Sequence, residues 1–144
     1  MSTRSLVGAE TESGTKLVYV HSDGYPDGYW GKVETLRRLV AQFGLDKVVG
    51  TLLQTPSGWS SFDGNPGETL NPGYADGRFE LVPGFGVRFT DVEGQGNTKY
   101  ATPEDHNEYW DVEYVYVITA DGKLRWAPHG DGEWADQDWL TEDL

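Results

Sequence analysis

Apolar and polar positions along the first twenty residues repeat with a period of two. Residues 5–10 and 16–21 read as two strands joined across Glu12-Ser13-Gly14, a hairpin signal. In the second strand Leu17, Tyr19 and His21 share one face, and Val18 and Val20 share the other. Both faces are largely apolar, which predicts a central strand. Asp23-Gly24-Tyr25-Pro26-Asp27-Gly28 then breaks the chain with turn residues. From about Trp30 the period lengthens. Val33, Leu36, Val40 and Phe43 recur at helical spacing with Leu39 beside them, while Lys32, Glu34, Arg37, Arg38 and Gln42 fall on the polar side. Gly44 suits the end of this helix. Asp46 is placed to cap a short second helix through Val48, Val49, Leu52 and Leu53, with Gly50 as its weak point.

Residues 55–77 hold five glycines and three prolines and read as a long loop. Its Trp59, Phe62 and Tyr74 are expected to pin it to the body of the domain. Residues 78–82 and 86–90 read as a strand pair turning at Pro83-Gly84, and Gly94-Gln95-Gly96-Asn97 as a flexible turn. The strongest strand is 111–119, with Tyr114, Tyr116 and Ile118 facing one way and Val115 and Val117 the other. Ala120-Asp121-Gly122 turns it back into residues 123–126. Residues 133–143 are expected to be an acidic tail or a short helix, although Trp134 and Trp139 are spaced poorly for one. The architecture that follows is α+β: a mainly antiparallel sheet with one or two helices packed on one face. Residues 1–128 are expected to form a single α+β domain and 129–144 an acidic, tryptophan-containing C-terminal segment.

Charge sharpens that division. The chain has 144 residues, 24 acids and 11 bases, a formal net charge of −13. Residues 1–103 contribute 12 acids and 9 bases; residues 104–144 contribute the other 12 acids against only Lys123 and Arg125. From His129 onward there are six acids and no Lys or Arg. Such a surface repels phosphate backbones and anionic membranes, so neither direct nucleic-acid binding nor membrane binding is expected. The near-neutral first 103 residues remain compatible with a small anion. No cysteine is present, which removes disulfides, thiolate metal sites and thiol catalysis. Six Trp, eight Tyr and five Phe are too many aromatics for a disordered acidic chain. The N-terminus shows no apolar leader and no apolar run approaches bilayer length, so a cytoplasmic protein is expected.

Catalytic and metal motifs are sparse. Gly94-x-Gly96-x-x-Lys99 lacks the phosphate-loop pattern, Gly84-x-Gly86 lacks the third glycine of a dinucleotide fingerprint, and there is no GxSxG elbow. His21, His106 and His129 are isolated from one another, and Asp136 and Asp138 are not followed by the glycine of a calcium loop. No enzyme activity, cofactor or metal is expected. The dense cluster is 19–26, which places His21, Asp23 and Tyr25 at the end of a central strand just before a helix start. Such a mouth can take a ligand, and the helix start favours an anion. Its structural counterpart would have Asp23 cap the turn, Gly24 adopt positive φ, and His21 serve as a hydrogen-bonded packing residue.

Thr3-Arg4-Ser5-x-x-Gly8, then Val18-Tyr19-Val20-His21-x-Asp23-Gly24-Tyr25-Pro26, then Glu113-Tyr114-x-Tyr116-Val117 and Asp121-Gly122-Lys123, resemble a family of small bacteriophage proteins. Its pattern is TRSxIG, a strand ending in HWDGYP, a helix opening with GVGKTLL, and a late EYxY strand with a DGKW turn. The resemblance runs in order from Thr3 to Trp126. Ser22 stands where the pattern has Trp, Gly31-Lys32 keeps only part of the helix opening, and the tail from His129 lies outside it. The family carries no established activity, so the resemblance implies phage origin and an α+β fold rather than a reaction.

By analogy of class, small phage proteins that antagonise host antiviral defence offer two readings. The first is a non-enzymatic sponge that sequesters a nucleotide-derived signal. Tyr25, Trp30 and Trp59 would stack on a base, Arg4, Arg88 and His21 would meet phosphate, and Asp23 would shape the mouth. The second is an acidic DNA mimic or protein inhibitor that binds a basic surface of a host nuclease or CRISPR-type effector through Asp131, Glu133, Trp134, Asp136, Asp138 and Trp139. The expected partner is therefore a small nucleotide-type ligand or a basic host protein, in the cytoplasm of an infected bacterium, with homo-oligomerisation left open.

Overall fold

The computed structural model describes residues 3–64, 79–90, 99–102, 112–128 and 139–144. Among these, eight strands form one sheet in the order β4-β5-β3-β2-β1-β6-β7-β8. β1 (Ser5–Thr11) and β2 (Gly14–Val20) make the expected hairpin, in register from Ser5 opposite Val20 to Thr11 opposite Gly14. α1 (Lys32–Phe43) and α2 (Leu45–Leu52) follow, and then β3 (Trp59–Phe62) returns parallel to β2. A parallel return needs a crossover, and the helix pair supplies it. β4 (Phe79–Val82) and β5 (Gly86–Phe89) extend the sheet beyond β3. β6 (Tyr114–Ile118) runs parallel to β1, and β7 (Lys123–Pro128) and β8 (Leu140–Asp143) complete the other side. Only β1–β6 and β2–β3 pair in parallel; the rest are antiparallel, so the α+β reading with a mainly antiparallel sheet holds.

Both helices cover one face of the sheet. Val33, Leu36, Leu39, Val48 and Leu52 pack on Val7, Ala9, Val18, Val20, Trp59, Phe62, Tyr116, Ile118 and Leu124. On the other face Leu6, Leu17, Val115, Val117 and Ala127 pack with Ala101 and Val112, partly covered by Tyr19 and Trp139. The period-two faces read for β2 and β6 are therefore the two faces of a sheet buried on both sides.

Several elements differ from expectation. α1 begins at Lys32 rather than about Trp30, since Gly31 is its N-cap. Lys32 is completely buried, not on the polar side. It stands four and seven residues before Leu36 and Leu39, so the apolar stripe itself carries it inward. Asp46 caps nothing: Gly44 is the N-cap of α2 and no side chain closes that end. Trp59–Phe62 is a strand, not loop, with Trp59 and Phe62 both fully buried. Leu140–Asp143 is a strand, not helix, and joins the same sheet as the rest of the chain. The remainder of the acidic segment (Asp131, Glu133, Trp134, Asp136, Asp138), His129, His106, Tyr74 and the Gly94–Gly96 turn lie outside the described residues. No helix among the described residues is long and apolar enough to cross a membrane.

Candidate functional site

The turn between β2 and α1 is held at several points. The Gly24 N–H donates to the Thr3 carbonyl (2.9 Å), and the Tyr116 hydroxyl donates to the Gly24 carbonyl (2.6 Å). The Lys32 N–H donates to the Tyr25 carbonyl (2.9 Å), fixing the chain where α1 starts. Gly24 is required for lack of room rather than for positive φ: a Cβ there would lie 2.7 Å from the Thr3 oxygen and 2.9 Å from the Ser5 Cβ. The left-handed non-glycine residue is Asp23, at φ 56°. Non-glycine residues pay strain in that region, and Asp tolerates it better than most. Gly31 is equally enclosed, its Cβ position lying 2.2 Å from the Asp27 oxygen. Gly24 and Gly31 are thus explained by backbone packing and Gly28 by its positive φ of 85°, and Asp23 is the residue left strained.

Charge gathers beneath this turn. The Lys32 ammonium donates to the Phe62 carbonyl at 3.2 Å inside the core. Burial lowers its pKa from 10.5 to about 8, against the Asp23 and Asp63 carboxylates, which favour the charged form; the Arg38 charge adds to the lowering. The Tyr25 hydroxyl donates to the Asp23 carboxylate at 3.1 Å, and burial followed by that carboxylate raises the phenol above its ordinary value. Burial also pushes the Tyr116 hydroxyl up, which keeps it a neutral donor to Gly24. The Ser5 hydroxyl, buried on the helix side of β1, has no hydrogen-bond partner among the described residues.

At the outer lip, Tyr29 and Trp30 are 63% and 41% exposed. Their rings meet edge to face with centroids 4.8 Å apart. The Arg38 guanidinium lies 3.8 Å over the Tyr29 ring and 5.7 Å from the Trp30 ring, and donates to the Tyr29 carbonyl at 2.5 Å. α1 begins here without a side-chain cap. An ordered aromatic pair in water, with a guanidinium against it, offers a stacking surface and a charged donor side by side.

The residues singled out from sequence separate into three sets. Arg4, Asp23 and Tyr25 lie around one turn: Gly24 approaches the Arg4 backbone closely enough that a Cβ would sit 3.0 Å from its carbonyl carbon. Trp30 stands at the outer lip. His21, Trp59 and Arg88 gather further along the sheet, where the His21 N–H donates to the Trp59 carbonyl and Trp59 pairs with Arg88. The His21 Nδ1 and Tyr19 hydroxyl share a hydrogen bond of 2.9 Å. Trp59 corrects the expectation of a stacking role: it is fully buried and its Nε1–H donates to the Leu52 carbonyl. Arg88 is engaged by Glu80 on β4 and by Gln54 after α2, and stands 5.7 Å from the Trp59 ring. Trp139, from the acidic segment, packs on the face away from the helices under the Arg125 guanidinium. Sequence reasoning missed Tyr29, Arg38 and the buried state of Lys32; the helical spacing of Lys32 with Leu36 and Leu39 was the available signal.

Beside the α1 start, a cleft of about 220 Å³ opens between Pro26–Gly28, Val33, Trp126 and Glu142. Arg37 sits in it, bound to Glu34 and Glu142. Among the described residues no group of three His, Cys, Asp or Glu side chains is placed to hold a metal ion. The chain matches no family model, no curated protein and no solved structure.

Proposed function

We propose that the chain is a non-enzymatic binding protein that takes a small nucleotide-type ligand at the lip between β2 and α1. The observation that carries this is the exposed Tyr29–Trp30 pair with the Arg38 guanidinium against it. Core packing does not account for rings this exposed, and solvent-facing aromatics held in a fixed geometry suit stacking on a planar base. Arg38 and the open start of α1 supply donors for a phosphate. The set of ligand residues then becomes Tyr29, Trp30 and Arg38, with Arg4, Asp23 and Tyr25 shaping the turn behind them. The resemblance to small phage proteins supports reading this as an activity in the cytoplasm of an infected bacterium, where capture of a nucleotide signal would blunt antiviral defence.

A panel of cyclic dinucleotides, cyclic trinucleotides and cyclic ADP-ribose isomers, titrated by calorimetry, tests the reading. One or more members bind and are recovered chemically unchanged, and Trp30→Ala weakens binding by about 1–3 kcal/mol, the usual worth of a base–aromatic stack. Silence across the panel at saturating ligand overturns it, and conversion of a bound member to product would make the protein an enzyme instead.

A further inference from the structure

β8 closes one end of the sheet, and among the described residues its outer edge has no strand partner. Leu140 is 48% exposed there, and Thr141 and Asp143 are exposed beside it. An open edge offers unpaired backbone groups to any extended segment that can lie along it.

The side chains around this edge narrow the choice of segment. The cleft beside it carries Asp27, Glu34 and Glu142 against the single cation Arg37, with the Trp126 indole as a wall. Arg37 shows what chemistry the cleft takes: its Nη1 donates to Glu34 at 2.7 Å, its Nη2 to Glu142 at 3.3 Å, and its Nε to the Asp143 carbonyl at 2.9 Å. The exposed Asp27 carboxylate on the rim makes no hydrogen bond or ion pair among the described residues. An indole face and a carboxylate together favour a second cation. A second copy of this chain is a poorer occupant, because its own β8 would bring further acids, Glu142 and Asp143, and not the cation that this rim favours.

We propose that the β8 edge receives an extended basic segment of a partner protein as a further strand, with an arginine or lysine side chain reaching the cleft between Asp27 and Glu142. The cleft shares no lining residue with the Tyr29–Trp30–Arg38 lip, so the proposal is tested independently of nucleotide binding.

The test uses the full chain and a short peptide alternating arginine with threonine, beside a control in which glutamate replaces arginine. Amide shifts are followed by NMR and affinity by calorimetry. The basic peptide is expected to bind, to shift β7, β8 and the Trp126 indole, and to weaken with added salt, while the acidic control does not bind. Thr141→Pro, which disrupts the edge, and Asp27→Lys, which reverses charge at the rim, should each weaken binding at least about tenfold. If Thr141→Pro does not fold, Asp27→Lys carries the comparison alone, since the Asp27 side chain is exposed and makes no hydrogen bond or ion pair among the described residues. Absence of binding overturns the proposal. So does binding that neither variant changes, which would be general attraction to an acidic surface. Concentration-dependent shifts of β8 without peptide would also overturn it, by showing that a second copy holds the edge.

Discussion

Lys32 places an ammonium group out of water at the foot of α1, with one carbonyl as its hydrogen-bond partner and two carboxylates acting on it through space. Such an arrangement costs stability, and the sign of the cost with pH is fixed. The folded chain releases the Lys32 proton near pH 8, whereas the unfolded chain holds it to about 10.5. Between these values the unfolded state binds more protons, so stability rises with pH through that window; below about pH 8 the burial cost applies in full. Lys32→Met should remove that rise and be more stable than the parent at neutral pH by about 1–2 kcal/mol, the desolvation relieved exceeding the one hydrogen bond lost. Denaturant unfolding of both proteins at pH 7 and pH 9.5 measures this; a variant destabilised at both would show that Lys32 ties the turn together. Neither Lys32 nor Asp23 looks unusual in the sequence. A lysine at the start of a helix reads as solvated, and an Asp beside a glycine leaves the left-handed conformation to the glycine. Only the crowding of Gly24 against Thr3 and Ser5 reverses that assignment.

The elements divide by how far local pattern determines them. β2 and β6 alternate over five or more residues, and their faces were legible because the sheet is buried on both sides. β3 was not legible: four residues inside a glycine- and proline-rich stretch carry no period, and they become a strand because β2 and β5 offer edges on either side. β8 was hidden by its acids, which suit a solvated tail as well as an edge strand. α2 was legible despite Gly50, which lies in its last turn with nothing within 4 Å of the position a Cβ would take. Gly50→Ala should therefore stabilise the protein by about 0.5–1 kcal/mol through helix propensity alone. A shift of the denaturation midpoint to higher denaturant at unchanged slope is the expected result; destabilisation would mean that this part of α2 packs against something beyond the described residues.

At the scale of the whole molecule, a net charge of −13 on 144 residues works against compaction. Screening weakens that repulsion over a few ångströms at high salt, so the thermal midpoint should rise by about 2–5 °C between dilute buffer and molar sodium chloride. A fall would mean that the ion pairs Arg37–Glu142, Arg88–Glu80 and Lys123–Asp143 outweigh it. The sequence singled out the turn beside which the candidate site is proposed, but its stacking expectation for Trp59 meets a fully buried indole, because composition does not distinguish a tryptophan in the core from one at the lip. Packing of β3 against α2 buries Trp59, while the turn before α1 leaves Trp30 in solvent. That contrast gives the most direct measurement of the central claim. The chain has six tryptophans, and a proton–nitrogen NMR spectrum follows each indole N–H separately. On saturation with a bound nucleotide from the panel, the Trp30 indole should shift while the Trp59 indole, hydrogen-bonded to Leu52 in the core, stays in place. A nucleotide that binds tightly yet leaves the Trp30 indole unmoved would contradict the account.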